Sequence, residues 1–177
     1  MSGRQVRDAP DAAVLVDPLQ LDRQVCFALS VAARTVVALY RPLLEPMGLT
    51  HPQYLVMLAL WERSPRSVKD LSGALALDPG TLSPLLKRLE TAGLVTRGRD
   101  RSDERVLAVT LTEAGRRLRA EAEKVPPAIV ARLGMEISEL EDLHGALTRV
   151  IAAAREAPDV PPDGGDAATD HGRRPRR

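Results

Sequence analysis

Scarcity is the first information in this sequence. Its 177 residues hold one cysteine, Cys26, so an intramolecular disulfide is excluded and a reducing, cytoplasmic setting is expected. Aromatic residues make up 2%, too few for a surface that reads single strands or RNA by stacking. Charge of one sign is lacking too: 25 basic residues face 24 acidic ones, for a formal net charge of +1. A nucleic-acid binder with that balance must concentrate its cations locally. The three histidines, His51, His144 and His171, share no ligand-like spacing with each other or with Cys26. No metal site and no cofactor are therefore expected. No apolar run is expected to span a bilayer, and the chain does not open on a basic segment followed by an apolar one. Neither a membrane partner nor a signal peptide is anticipated. The length suits one domain core with tails.

What is present centres on Ser67 to Thr112. Ser67 is an N-cap residue type with Asp70 three positions on, and Val68, Leu71 and Leu75 give one apolar helix face. Asp78 caps a second helix with Pro79 at its first position. Leu82, Leu85, Leu86 and Leu89 form its inner face, and Gly93 ends it. Thr81, Ser83 and Pro84 lie early in this helix, and Lys87 and Arg88 point outward. Strand-like runs follow at Leu94–Arg99 and Val106–Thr112, separated by the charged stretch from Asp100 to Arg105. Helix, turn, helix and a hairpin with a basic tip predict a winged helix-turn-helix that reads double-stranded DNA. The hairpin tip then contacts the backbone or minor groove. The blander readings are an amphipathic helix pair that touches nothing, or a protein-docking module.

The flanks fit a dimer. Residues 1–17 read as a loose arm and 18–157 as the working domain, with a reading part at about 50–112. Helices at about 19–46 and 113–157 surround it, and 158–177 read as a disordered tail ending in Arg173–Arg177. The helix predicted from Leu21 to Tyr40 carries two apolar stripes. One runs through Leu21, Val25, Leu29, Ala32, Val36 and Leu39; the other runs through Cys26, Ala33, Val37 and Tyr40. Pro42 and Pro46 are expected to break it. Thr50 and Gln53 form a capping box for the next helix, in which Trp61 reads as a core anchor. Thr112 caps another helix, which Pro126-Pro127 interrupts. Ser138 with Glu141 suggests the start of a last helix. Its Leu140, Leu143, Leu147, Val150 and Ala154 repeat like a coiled-coil seam. The fold class expected is mainly α with a small β-hairpin wing. Two copies make two half-sites, hence a pseudo-palindromic operator.

A lone helical cysteine is most often a small hydrophobe. Cys26 differs in lying near a helix start with Arg23 three residues upstream, a setting that favours a thiolate. Cys26 and Tyr40 share a stripe but stand about 21 Å apart on one straight helix. They meet only if two such helices pair antiparallel about Ala33. The same pairing keeps the two Cys26 residues too far apart for a disulfide.

The span from about Leu19 to Ala157 resembles the MarR family of dimeric winged-helix regulators, in particular the organic hydroperoxide resistance regulators of the one-cysteine subclass. LDRQVCFAL, YRPLLEPMGLTHPQYLVMLALWE, LDPGTLSPLLKRLETAGLVTR and RSDERVLAVTLTEAG carry the likeness. It implies a non-enzymatic repressor whose reduced dimer holds an operator and lets go once an organic hydroperoxide oxidises the cysteine to a sulfenic acid. Cys26 falls on the sensor, with Phe27 and Ser30 beside it. Tyr40 falls on a tyrosine that bonds the sensor from the partner subunit, and Asp103 and Arg105 fall on the Asp-x-Arg of the wing. This chain has His51 where a second contacting tyrosine often stands, and Ser30 where a further pocket tyrosine occurs. With no second cysteine, a small cellular thiol, a sulfenamide or further oxidation must resolve the sulfenic acid. The competing readings are a MarR-type repressor released by a small aromatic ligand and a thiol peroxidase. The peroxidase lacks a resolving cysteine and leaves the DNA module unexplained.

Overall fold

The computed structural model describes residues 17, 19–99 and 107–157. The expectations for the N-terminal arm, for the wing tip with Asp103 and Arg105, and for the tail with Arg173–Arg177 lie outside the described residues, apart from Asp17. The described part is mainly helical with a small antiparallel sheet. It falls into two compact units, one ending at Leu133 and the other starting at Gly134.

The first unit opens with a short 3-10 turn, Leu21–Arg23, and then α1, Val25–Leu44. The expected stop before Pro42 does not occur. Pro42 lies in the last turn of α1, and Pro46 lies in a second 3-10 turn, Glu45–Met47. Pro42 cannot give the N–H bond that would reach the Ala38 carbonyl, and the helix runs only two residues beyond it, to Leu44. Gly48 then reverses the chain at φ +68°. Helix α2, His51–Glu62, starts at the Thr50–Gln53 capping box, which is formed as the sequence suggested. A two-residue strand β1, Arg66–Ser67, leads into α3, Val68–Leu75, capped by Ser67 accepting from the Asp70 N–H. The second helix of the pair, α4, Pro79–Thr91, is capped by Asp78. The wing strands are β2, Val95–Arg99, and β3, Leu107–Leu111.

The sequence suggested two strands; the sheet has three, in the order β1-β3-β2. Arg66 faces Val109, and Val95 faces Leu111. The core lies between α2, α3, α4 and this sheet. Met57, Leu60, Leu71, Leu82, Leu86, Leu89, Val95 and Val109 are all fully buried. Each such side chain contributes about 1.5–3 kcal/mol, so this cluster fixes the angle at which α4 is presented.

After the wing come α5, Glu113–Arg117, α6, Arg119–Ala122, and α7, Val125–Leu133. Thr112 caps α5 as expected. Pro126-Pro127 does not interrupt a helix but occupies the first turn of α7, where proline loses no intrahelical bond. The chain turns just before it, at Glu123 and Lys124.

The second unit is built on α8, Ile137–Glu156. Ser138 is not its cap. Glu136 and Glu139 form the capping box, with the Glu139 carboxylate accepting from the Glu136 N–H at 2.8 Å. Of the expected seam, Leu143 and Val150 are exposed.

Helix α1 needs a second correction. Val25–Met47 is long and apolar enough to cross a bilayer by length and composition. It nevertheless carries Arg34 and Arg41, and a central arginine costs about 2.5–3.5 kcal/mol in a bilayer. One flank packs on its own unit through Val36, Leu39, Tyr40 and Leu43, all half-buried. Val25, Phe27, Val31 and Val37 are left exposed.

Candidate functional site

The surface of α4 is the first part of the candidate site. Its inner face is spent on Leu82, Leu85, Leu86 and Leu89, so Thr81, Ser83, Pro84, Lys87 and Arg88 are all exposed. Thr81 does double duty. Its backbone N–H donates to one Asp78 oxygen at 2.9 Å and its hydroxyl to the other at 2.6 Å. The hydroxyl proton is thus committed to the cap, and the Thr81 oxygen is left as an acceptor. Those bonds, the side-chain one first, hold the Asp78 carboxyl below its ordinary value. Among the described residues Lys87 and Arg88 form no ion pair, so both cations are available to phosphates. By contrast Arg97 of β2 is committed to Glu90 of α4, with Nε 2.9 Å from the carboxylate. This guanidinium holds the Glu90 carboxyl below its ordinary value and pins the wing to the helix.

The thiol region is the second part. Cys26 is exposed at the second position of α1. Gln24, the N-cap residue, makes no side-chain capping bond to this helix start. Ser30 donates its hydroxyl to the Cys26 carbonyl at 2.8 Å, so it serves the backbone and not the sulfur. Phe27 borders Cys26 and is also exposed. Tyr40, near the far end of α1, meets His51, the first residue of α2, their rings edge to face with centroids 4.8 Å apart. Partial burial lowers the His51 pKa, which favours the neutral imidazole. The five sensor-region residues thus fall into two groups within one chain: Cys26, Phe27 and Ser30 at the start of α1, and Tyr40 near its end with His51 of α2.

Tyr54 was not singled out from the sequence. Its ring lies 6.0 Å from that of Tyr40 and 6.3 Å from Trp61. Burial, and then the neighbouring Tyr40, raise its pKa. The only sequence signal for it was its place three residues after His51 on the same helix. Beside it lies a largely apolar cleft of 360 Å³, lined by Tyr54, Leu58, Trp61, Arg119, Ala122 and Pro126.

Comparison with known proteins places this geometry. Residues 38–121 match the family model described as transcriptional regulator SarA/Rot. The chain is 48% identical over 123 residues to the HTH-type transcriptional regulator TtmR of Methylorubrum extorquens, covering 70% of this chain and spanning 63% of that protein's length. It is 40% identical over 131 residues to the organic hydroperoxide resistance transcriptional regulator of Bacillus subtilis, covering 74% of this chain and 89% of that one. Among solved structures, AbfR of Staphylococcus epidermidis superposes with a TM-score of 0.66 at 34% identity, over 77% of this chain and 95% of that one. CouR from Rhodococcus jostii, solved with p-coumaroyl-CoA, gives a TM-score of 0.66 at 27% identity, over 81% of this chain and 99% of that one.

Proposed function

The chain belongs to the SarA/Rot/MarR-type winged-helix transcriptional regulators, and we propose that it is a repressor that leaves its operator when an organic hydroperoxide oxidises Cys26. The observation that carries this reading is the 40% identity to the Bacillus hydroperoxide-resistance regulator. The exposure of Cys26 at the start of α1 supports it. In this reading two copies pair through the exposed apolar flank of α1, with dimerisation helices on either side of a reading domain at about 50–112. An antiparallel pairing about Ala33 carries Cys26 toward Tyr40 and His51 of the partner subunit. Dimers of this kind fit a pseudo-palindromic duplex, each copy offering Thr81, Ser83, Pro84, Lys87 and Arg88 to one half-site. Asp103 and Arg105 serve the adjacent minor groove. The protein works in the cytoplasm, beside its DNA.

The chemistry balances without a cofactor. The Cys26 thiolate attacks the distal peroxide oxygen, an S–O bond forms, the O–O bond breaks, and the alkoxide leaves and takes a proton to become the alcohol. Sulfur is oxidised by two electrons and the peroxide reduced by two. A small thiol then condenses with the sulfenic acid to give a mixed disulfide and water, and a second thiol restores Cys26. Each protomer reacts once per cycle of release, so this is a switch, not a turnover enzyme. A shift of about 1.4 kcal/mol at the subunit seam changes operator affinity tenfold.

The test uses a duplex selected from a random library by the reduced protein. Cys26→Ser is expected to bind it as the parent does and to ignore cumene hydroperoxide. Release of that variant by peroxide would remove Cys26 from the mechanism.

One observation favours a second reading. The 360 Å³ cleft beside Tyr54 and Trp61 is largely apolar, with Glu62 and the Arg119–Glu123 ion pair also in its lining, and CouR is a relative solved with p-coumaroyl-CoA. In this reading a small aromatic ligand releases the repressor from its operator without redox chemistry, and it would still release Cys26→Ser.

A further inference from the structure

The chain has one tryptophan, two tyrosines and one phenylalanine, and three of these four rings stand in one row. On α2, His51, Tyr54, Leu58 and Trp61 recur at intervals of three, four and three residues, so they line one stripe of the helix. Tyr40 of α1 sits at the head of the stripe, edge-on to His51 at 4.8 Å and tilted on Tyr54 at 6.0 Å. Tyr54 in turn meets Trp61, edge to face, at 6.3 Å.

The row does not end in the core. Trp61 Nε1–H donates to the Gly115 carbonyl at 2.8 Å, across 54 positions of sequence. Gly115 is pressed so close to Leu94 that a Cβ would stand 2.1 Å from the Leu94 oxygen. Its N–H donates to Thr112 Oγ1 at 3.0 Å, and that hydroxyl donates to the Gly93 carbonyl at 2.7 Å. Gly93 closes α4, Leu94 precedes β2, and Thr112 follows β3. The end of the reading helix and the roots of both wing strands are therefore tied in one knot. A tryptophan serving only as a core anchor would bury its ring and place its N–H anywhere available. Trp61 is only half-buried, and its one directional bond goes to this knot.

We propose that Trp61 is a positioning residue that passes a displacement of Tyr40 along α2 to the joint between the reading helix and the wing. The proposal rests on the reading in which oxidation of Cys26 is felt at Tyr40 across the subunit seam. Tyr54 and Trp61 are seven residues apart, about 10 Å on a standard helix, so α2 acts as a short rigid lever between seam and wing.

Trp61→Phe tests it, because the ring is kept and the donor is lost. Operator affinity is read before and after cumene hydroperoxide, and Cys26 oxidation is followed in parallel by mass. The expected result is equal oxidation of Cys26 in parent and variant, with the peroxide-induced loss of affinity about fivefold smaller in the variant. Equal oxidation with an undiminished loss of affinity would overturn the proposal. A second measurement depends neither on redox chemistry nor on the folding of Trp61→Phe. In Cys26→Ser the only indole is Trp61, and its emission should shift when the selected duplex is added. Unchanged emission would also overturn the proposal. If the parent itself kept its DNA in peroxide, the redox reading would fall, and the emission result would decide the role of Trp61.

Discussion

Replacing Gly115 with alanine should do more damage than any exposed substitution in the chain. The added Cβ would lie 2.1 Å from the Leu94 oxygen, 3.1 Å from its carbon and 3.2 Å from Leu111 Cδ2. Ordinary contact requires roughly 1 Å more on the oxygen side, and the obstructing atom is backbone. The Leu94 carbonyl is itself held by the Thr112 N–H at 3.0 Å, while the one hydroxyl proton of Thr112 goes to Gly93. Relief means moving α5 away from Leu94, which strains the Thr112 N–H bond and the Trp61 bond to Gly115. Overpacking costs about 1–3 kcal/mol and each weakened bond about 1 kcal/mol, so a loss of about 3 kcal/mol or more is expected. Urea unfolding followed by Trp61 emission, at matched protein concentration, measures it. The control is Gly73→Ala in α3, where a Cβ meets nothing within 4 Å and alanine should gain about 0.5–1 kcal/mol. A Gly115→Ala protein within about 1 kcal/mol of the parent would refute the close packing of α5 on Leu94.

Three further outcomes follow from individual groups. Burial lowers the His51 pKa from 6.5, so the unfolded chain takes up a proton that the fold resists. Stability linked to His51 is therefore full above pH 6.5 and declines as pH falls below it; a pH series of urea midpoints should be flatter for His51→Gln, and identical slopes would contradict this. Hydrogen bonds from Thr81 lower the Asp78 pKa from 3.8. Its contribution is present above that value and lost as pH falls through the lower folded value, so Asp78→Asn, which keeps a capping oxygen, should show a shallower acid-unfolding limb than the parent. Lys87→Ala should weaken duplex binding and reduce the slope of log affinity against log salt by about one; an unaltered slope would take Lys87 off the phosphate backbone.

Much of the reading unit was legible because its signals are local. Ser67, Asp78, Thr112 and the Thr50–Gln53 box each close a hydrogen bond within three residues, and each caps the helix the sequence assigned to it. The leucine spacing of α4 gave its buried face for the same reason. Helix α8 shows the limit of such signals. Ser138 with Glu141 and Glu136 with Glu139 both fit a capping box, and the earlier pair caps the helix, two residues after Gly134 reverses the chain at φ +62°. The pair of residues forming β1 has no period to read, and its partner Val109 is remote in sequence. The Trp61 bond to Gly115 was illegible on the same ground, since spacing along one helix says nothing about what its face meets. Cys26 and Tyr40 could be placed on one stripe of α1, yet within one chain they stand near opposite ends of that helix, and the contact proposed between them needs a second copy.

The most direct measurement is operator binding by the reduced parent protein, titrated with cumene hydroperoxide against the number of Cys26 thiols and then treated with a small thiol. The expected result is release that is complete near one peroxide per Cys26, in step with formation of the sulfenic acid, and recovery of binding when the thiol is added. Undiminished binding after Cys26 is fully oxidised would contradict the redox switch.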